Sequence, residues 1–297
     1  MTDPSLKVSV GRLTIKNPII LASGVCGFGE ENVSVLNKCG AVIFKTITLL
    51  PKKGNPPPRV ADFPYGMINS IGLENPGVEG LKDKLCYIKK IKTKKLASFM
   101  PEDKKDFLVL LDKLENFDVF DGYEINLSCP NVEKIKWLNE TTTLKKIFKN
   151  VRKLTEKPLI VKLSVENDIS KIIEILKENN FDGVSLLNTF KAVAVDWKKM
   201  KFKLANIYGG YSGPAIKPIV QRYVYDIGKK FDIDIIATGG IICGQDVIEY
   251  LLLGAKAVQI GSGYFRNPQL PVDCIMFLKK YLKENKTKLE DIIGKLK

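Results

Sequence analysis

Pro18-Ile19-Ile20-Leu21-Ala22-Ser23-Gly24 is a continuous apolar run that ends in small and polar residues. A strand with one solvated face alternates apolar and polar residues, whereas an unbroken run suits a parallel sheet covered on both faces. The format recurs along the chain. Ala41-Val42-Ile43-Phe44 leads into Lys45-Thr46, and Lys95-Leu96-Ala97-Ser98-Phe99 is a weaker third run. Gly122-Tyr123-Glu124-Ile125 leads into Asn126, Leu159-Ile160-Val161 into Lys162, and Val184-Ser185-Leu186-Leu187 into Asn188-Thr189. Residues 233–237 run into Thr238-Gly239-Gly240, and Ala257-Val258-Gln259-Ile260 into Gly261-Ser262-Gly263.

Amphipathic stretches with helical spacing separate these runs, at 30–38, 77–90, 102–115, 142–154, 168–179, 218–230, 245–253 and 270–284. Alternating strands and helices predict an α/β fold with a parallel sheet, and eight units predict its closure into a (β/α)₈ TIM barrel. In that architecture the chemistry sits at the C-terminal strand ends. An open doubly wound sheet is the alternative, but its Gly-x-Gly-x-x-Gly turn is missing after the first strand. Residues 7–16 alternate on either side of Gly11-Arg12, which predicts an N-terminal β-hairpin cap. Two long insertions, 49–75 and 190–214, are expected to stand as loops over the mouth. With no linker or repeat between them, residues 1–297 read as one domain.

Composition narrows the chemistry. No apolar run reaches the roughly 18 residues of a membrane span, and the N-terminus lacks the pattern of an export signal, so a cytoplasmic protein without membrane contact is expected. The net charge of +14 comes from lysines dispersed over helical faces, a solvated surface on which nucleic acid is not the expected partner. Six cysteines occur without a Cys-x-x-Cys pair, and no metal-ligand set is read. Histidine is absent, which removes Ser-His-Asp and Cys-His catalysis. Any acid or base must be Cys, Lys, Tyr or a carboxylate.

Three constellations stand at the predicted strand ends. Gly239, Gly240, Gly261 and Ser262, with Gly213 as a further approach, fit the phosphate site that barrels build after strands seven and eight. Lys45 and Lys162 occupy positions where a bland fold places apolar or small residues, so anion stabilisation is expected of them. Asn69, Asn126, Asn131 and Asn188 offer paired donors and acceptors to a planar, amide-rich ligand such as a pyrimidine. Within Glu124-Ile125-Asn126-Leu127-Ser128-Cys129-Pro130-Asn131, the thiol of Cys129 reads either as a base or nucleophile or as an apolar filler.

Asn17-Pro18-Ile19-Ile20-Leu21-Ala22-Ser23-Gly24, Lys45-Thr46-Ile47-Thr48, Gly54-Asn55-Pro56-Pro57-Pro58-Arg59, Ile68-Asn69-Ser70-Ile71-Gly72-Leu73, Asn126-Leu127-Ser128-Cys129-Pro130-Asn131, Val161-Lys162-Leu163 and Ser212-Gly213-Pro214-Ala215-Ile216-Lys217-Pro218 follow one another in order. Together they resemble the class 1 dihydroorotate dehydrogenases over nearly the whole chain. The resemblance implies an FMN enzyme that oxidises dihydroorotate to orotate in pyrimidine biosynthesis. Cys129 would be the general base that takes the proton from C5 while hydride passes from C6 to the flavin. Lys45, Asn69, Ser70, Ile71, Gly72, Leu73, Asn126, Asn131, Asn188 and Thr189 match the family's substrate shell. Ala22, Ser23, Gly24, Lys45, Thr46, Asn126, Lys162, Leu187, Gly213, Gly239, Gly240, Gly261 and Ser262 match its flavin shell.

Gly24-Val25-Cys26-Gly27-Phe28-Gly29 and Gly72-Leu73-Glu74-Asn75-Pro76-Gly77 are most similar to class 1B. That implies a partner subunit carrying FAD and a [2Fe-2S] cluster, NAD as final acceptor, and a homodimer core within a heterotetramer. Where the family carries a Gly pair after Cys-Pro-Asn-Val, this chain has Glu133-Lys134-Ile135-Lys136-Trp137. The alternatives are a fumarate-using class 1A enzyme, an FMN-dependent tRNA dihydrouridine synthase, which also uses a barrel and a cysteine before proline and which the charge supports, and a non-catalytic phosphate-binding barrel.

Overall fold

A computed structural model describes residues 3–128 and 140–297. Eight parallel strands close into a barrel. They are β1 (Ile19–Leu21), β2 (Ala41–Ile43), β3 (Lys94–Phe99), β4 (Gly122–Asn126), β5 (Leu159–Leu163), β6 (Gly183–Leu186), β7 (Ile235–Thr238) and β8 (Ala257–Ile260). Neighbours in the sequence pair in space, and β8 returns to β1 through Gln259 opposite Ile20. The (β/α)₈ expectation holds, and the run read as weak is the longest strand of the eight. Its start is charged because Lys94 pairs with Asp121 at 2.8 Å at the rim.

The wall of the barrel separates two apolar clusters. Outside, Ile19, Leu21, Val42, Ala97, Ile125 and Val161 pack under the helices. Inside, Ile20, Ile43, Leu96, Ile160, Ile236 and Ala257 form a closed plug with Val10, Leu13 and Ile15. Because successive side chains on a strand face opposite ways, unbroken apolar runs serve both clusters at once. Val10, Leu13 and Ile15 come from the predicted hairpin, Val8–Val10 paired antiparallel with Leu13–Ile15. Its turn is pinned from below. Gly11 N donates to Asp234 at 2.8 Å, and Arg12 N donates to Asp182 at 2.8 Å. Asp182, buried, also accepts from Arg152 and from the Leu159 amide. Gly11 has φ +52°, and a Cβ there would lie 2.5 Å from Asp182, so glycine is required for this close approach.

The longer helices, Asp106–Glu115, Thr141–Leu154, Ile169–Glu178, Lys217–Lys230, Gly244–Leu252 and Leu270–Glu284, fall where the periodicity predicts them. Two others are shorter than expected. The stretch at 30–38 contributes only Val33–Leu36, preceded by Asn32 in the left-handed region. The stretch at 77–90 divides into Gly77–Gly80, a 3₁₀ turn at Leu81–Lys84, and Leu85–Ile88. Glycine at 80 carries a high conformational cost in a helix interior, which disfavours one continuous helix.

The two insertions are not loops. Val60–Phe63, Gly66–Asn69, Phe190–Val193 and Tyr208–Ser212 form a four-stranded antiparallel sheet in which Gly210 stands opposite Asn69. Ala61, Ile68, Ala194 and Leu204 give this sheet a small core of its own. Asn75 closes the first insertion by accepting from the Thr48 and Gly77 amides and donating to Leu73 O and Thr48 Oγ1. Among the described residues, no helix is long and apolar enough to cross a membrane.

Candidate active site

Strand periodicity builds the site. Two residues beyond the interior plug, on the same inward face, come Ala22 after Ile20, Lys45 after Ile43, Ser98 after Leu96, Lys162 after Ile160, Thr238 after Ile236 and Gln259 after Ala257. Apolar residues thus fill the lower barrel and polar ones its C-terminal end. Asn126 and Leu187 follow Glu124 and Ser185 by the same spacing.

At the ends of β1 to β3, three hydroxyls form a chain, Ser23 Oγ to Thr46 Oγ1 at 2.9 Å and Thr46 Oγ1 to Ser98 Oγ at 2.9 Å. The Ala22 amide donates to Ile260 O, which ties the start of this group to β8. Lys45 Nζ lies 3.8 Å from where a Cβ on Gly24 would stand. Burial pushes the Lys45 ammonium below its ordinary pKa, and the Glu74 carboxylate offsets part of that shift. Ala22, Ser23, Gly24, Lys45 and Thr46 therefore do come together.

At the ends of β4 and β6, Asn126 Oδ1 accepts from both the Ser128 amide and the Ser128 hydroxyl, and Asn188 Nδ2 donates to the same hydroxyl. The Asn188 carbonyl oxygen on the side chain accepts from Thr189 N at 2.8 Å. Leu187 N donates to Thr238 O, which holds β6 against β7. Cys129 and Asn131, the predicted base and its flanking amide, and residues 133–137 lie outside the described residues.

The sheet of the two insertions carries the remaining substrate candidates. Asn69 Nδ2 donates to Gly210 O at 3.4 Å. Ser70 Oγ accepts from Asn55 at 2.9 Å and from Asn206 at 3.1 Å, Ile71 O accepts from Asn55 N, and Leu73 O accepts from Asn75. Gly72, at φ +74°, lies against Asn55. These hydrogen bonds tie Ser70 to Leu73 into the insertion itself rather than to the amides at the strand ends.

The glycines divide by what surrounds them. Gly213, Gly239 and Gly240 all have positive φ, and a Cβ there would press on Gly66, Val220 and Lys217 respectively, so packing already requires them. At Gly261 a Cβ would meet nothing within 4 Å. On the neighbouring strand, Thr238 stands opposite Gln259, and its buried Oγ1 has no hydrogen-bond partner among the described residues. An open approach at Gly261, an orphaned hydroxyl and two lysines in the mouth suit a planar cofactor with a phosphate tail. A cavity of about 410 Å³ lined by Lys7, Lys16, Lys92, Lys94 and Asp121 lies at the other end of the barrel and holds none of these residues.

Sequence reasoning missed the layer just beneath the mouth. Lys162 Nζ donates to Gln259 Oε1 at 3.2 Å, and Gln259 Nε2 donates to Glu124 Oε2 at 2.6 Å and to Ser185 Oγ at 2.8 Å. Ser185 Oγ donates to Glu124 Oε2 at 2.9 Å. The available signal was one polar residue inside each of three largely apolar strands, one or two positions before the last residue of the strand.

Four of the other cysteines hold thiols that resist ionisation. Burial pushes the thiols of Cys26, Cys39 and Cys274 up to about 12, and it also raises that of Cys243. Cys86 is exposed on the helical side of the barrel.

The family model for dihydroorotate dehydrogenase matches residues 5–282. A relative from Thermodesulfovibrio yellowstonii, named dihydroorotate dehydrogenase B (NAD(+)), catalytic subunit, is 38% identical over 302 residues, covering 99% of each chain. Relatives of the same name from Thermoanaerobacter pseudethanolicus and Geobacter metallireducens are 39% identical over 300 residues and 36% identical over 303, covering at least 99% of both chains. An eight-stranded barrel with lysines, amides and an open glycine at its C-terminal end, matched by this family along nearly its whole length, belongs to the dihydroorotate dehydrogenases.

Proposed function

We propose that this chain oxidises dihydroorotate to orotate in pyrimidine biosynthesis, with FMN bound in the barrel mouth and Cys129 as the general base. The observation that carries this reading is the family match over residues 5–282, joined to a polar mouth whose residues suit that chemistry. A bound flavin supplies the hydride acceptor that no side chain can provide. Gly261, Ser262 and the orphaned Thr238 hydroxyl are the groups that would hold its phosphate and ring. Lys162 stands ready to face negative charge there.

On the substrate side, Asn126 and Asn188 share the Ser128 hydroxyl, which limits how either amide can turn and fixes what each presents to a planar ring. Asn69 and Asn131 complete the set in this reading, with Lys45 between substrate and cofactor. Cys129, directly after Ser128, takes the proton at C5. A thiol has an ordinary pKa of about 8.5, and positive charge beside such a group would favour its reactive thiolate form.

The relatives' names specify NAD(+) and a catalytic subunit. Those names support NAD as acceptor and a partner subunit for this chain. A partner that carries FAD and a [2Fe-2S] cluster, and a homodimer core within a heterotetramer, are the finer reading that the class 1B resemblance implies. The decisive experiment is stopped-flow reduction of the bound flavin by dihydroorotate. Cys129→Ala should remain yellow while the rate falls by roughly 10²-fold or more, the scale of a lost general base. An unchanged rate would remove Cys129 from this role.

A further inference from the structure

Glu124, Ser185 and Gln259 are fully buried and Lys162 is 5% exposed, yet the layer directly below them is apolar throughout. Barrel packing does not demand polar groups at this level. Buried charges are costly, and replacing a buried ion pair by apolar residues is often neutral or stabilising. A role for these residues therefore has to come from what stands at the C-terminal end.

The hydrogen bonds allow one arrangement only. Lysine has donors and no acceptor, so Lys162 must meet the oxygen of the Gln259 side chain. A carboxylate has acceptors and no donor, so Glu124 must meet the nitrogen. The Gln259 amide dipole consequently lies between the two charges in its favourable sense. The Ser185 hydroxyl accepts from Gln259 and donates to Glu124, which closes the ring of contacts. Glu124 Oε1 has no partner among the described residues, so the carboxylate's hydrogen bonds there are all directed toward this relay. Of the three donors on Lys162 Nζ, the hydrogen bond to Gln259 uses one.

We propose that Glu124, acting through the Gln259 amide, is the positioning residue for the Lys162 ammonium and tunes the reduction potential of flavin bound there. This rests on the flavin reading above. In a low-dielectric interior a buried negative charge opposes the gain of electrons nearby and offsets part of the lysine's attraction for them.

The test uses the full chain purified with its flavin, comparing the wild type with Glu124→Gln and Ser185→Ala. Glu124→Gln removes the charge and keeps the shape, and should make the potential more positive by at least about 30 mV, a tenfold change for a two-electron couple. Ser185→Ala keeps the charge and should leave the potential near the wild-type value. A wild-type potential in flavin-loaded Glu124→Gln overturns the proposal, as does an equal shift in both variants. Should Glu124→Gln fold poorly, urea midpoints of the Glu124→Gln, Lys162→Gln and doubly substituted chains decide the coupling. The double variant should then unfold at higher urea than Glu124→Gln alone, and additive losses would overturn the relay. A wild-type chain that takes up no flavin defeats the proposed function instead, and the urea comparison still reads the coupling.

Discussion

Asn188 and Ser128, sixty positions apart, are joined by a hydrogen bond from the Asn188 amide to the Ser128 hydroxyl, which itself donates to Asn126. One hydroxyl therefore orients two amides at the ends of β4 and β6. Ser128→Ala removes that link and leaves Asn126 held by the Ser128 backbone amide and Asn188 by the Thr189 amide. A net hydrogen bond contributes about 0.5–1.5 kcal/mol, so the KM for dihydroorotate should rise by up to about tenfold with a smaller change in kcat. Steady-state kinetics check this, and a fall in kcat at constant KM would contradict it.

Lys45 carries a folded-state pKa depressed by burial. The folded chain then binds fewer protons than the unfolded chain between that depressed value and the unfolded value of about 10.4. Stability from this group consequently rises with pH through that window, and its charged form is a cost below it. Lys45→Met should raise the thermal midpoint at neutral pH, with the gain shrinking as pH approaches the ordinary lysine value. Turnover should fall by about 10²-fold or more, as for a lost electrostatic donor. Melting curves at several pH values and a turnover assay test both halves.

Gly261 and Gly240 should respond differently to substitution. Gly261→Val enters open space, so stability should change by less than about 1 kcal/mol while flavin affinity falls at least about tenfold. Gly240→Ala meets Lys217 Cβ at 2.6 Å from a backbone at φ +71°, so it should destabilise by about 1–3 kcal/mol. Urea unfolding with flavin titration separates the two effects.

Leu13 is 1% exposed in the interior plug. Leu13→Ala should destabilise the chain by about 2–5 kcal/mol through lost burial and the cavity left behind. Its effect should appear in the urea midpoint, and a loss below 1 kcal/mol would mean that the hairpin does not seal the barrel.

The barrel was legible because each strand is buried on both faces and each helix on one, so composition and spacing record the layers directly. The charged start of β3 obscured its length, since Lys94 and Lys95 stand at the rim by Asp121. The sheet of the two insertions was not legible. Its strands are short, rich in glycine at 66, 209 and 210, and paired across about 140 positions, as Asn69 is with Gly210. The relay beneath the mouth was hidden for a related reason, because single polar residues inside apolar runs look like interruptions until strand register aligns them.

By itself the sequence determined the eight βα units, the strand ends where Lys45, Asn126, Lys162 and Asn188 fall, and the family, since local periodicity and ordered motifs are carried by the chain alone. Only the tertiary structure decided that Ser128 links two amides, that Gly261 opens onto space while Gly240 packs, and that Glu124 reaches Lys162 through Gln259. Those relations join residues on different strands, and barrel closure and register, rather than sequence spacing, determine which side chains meet.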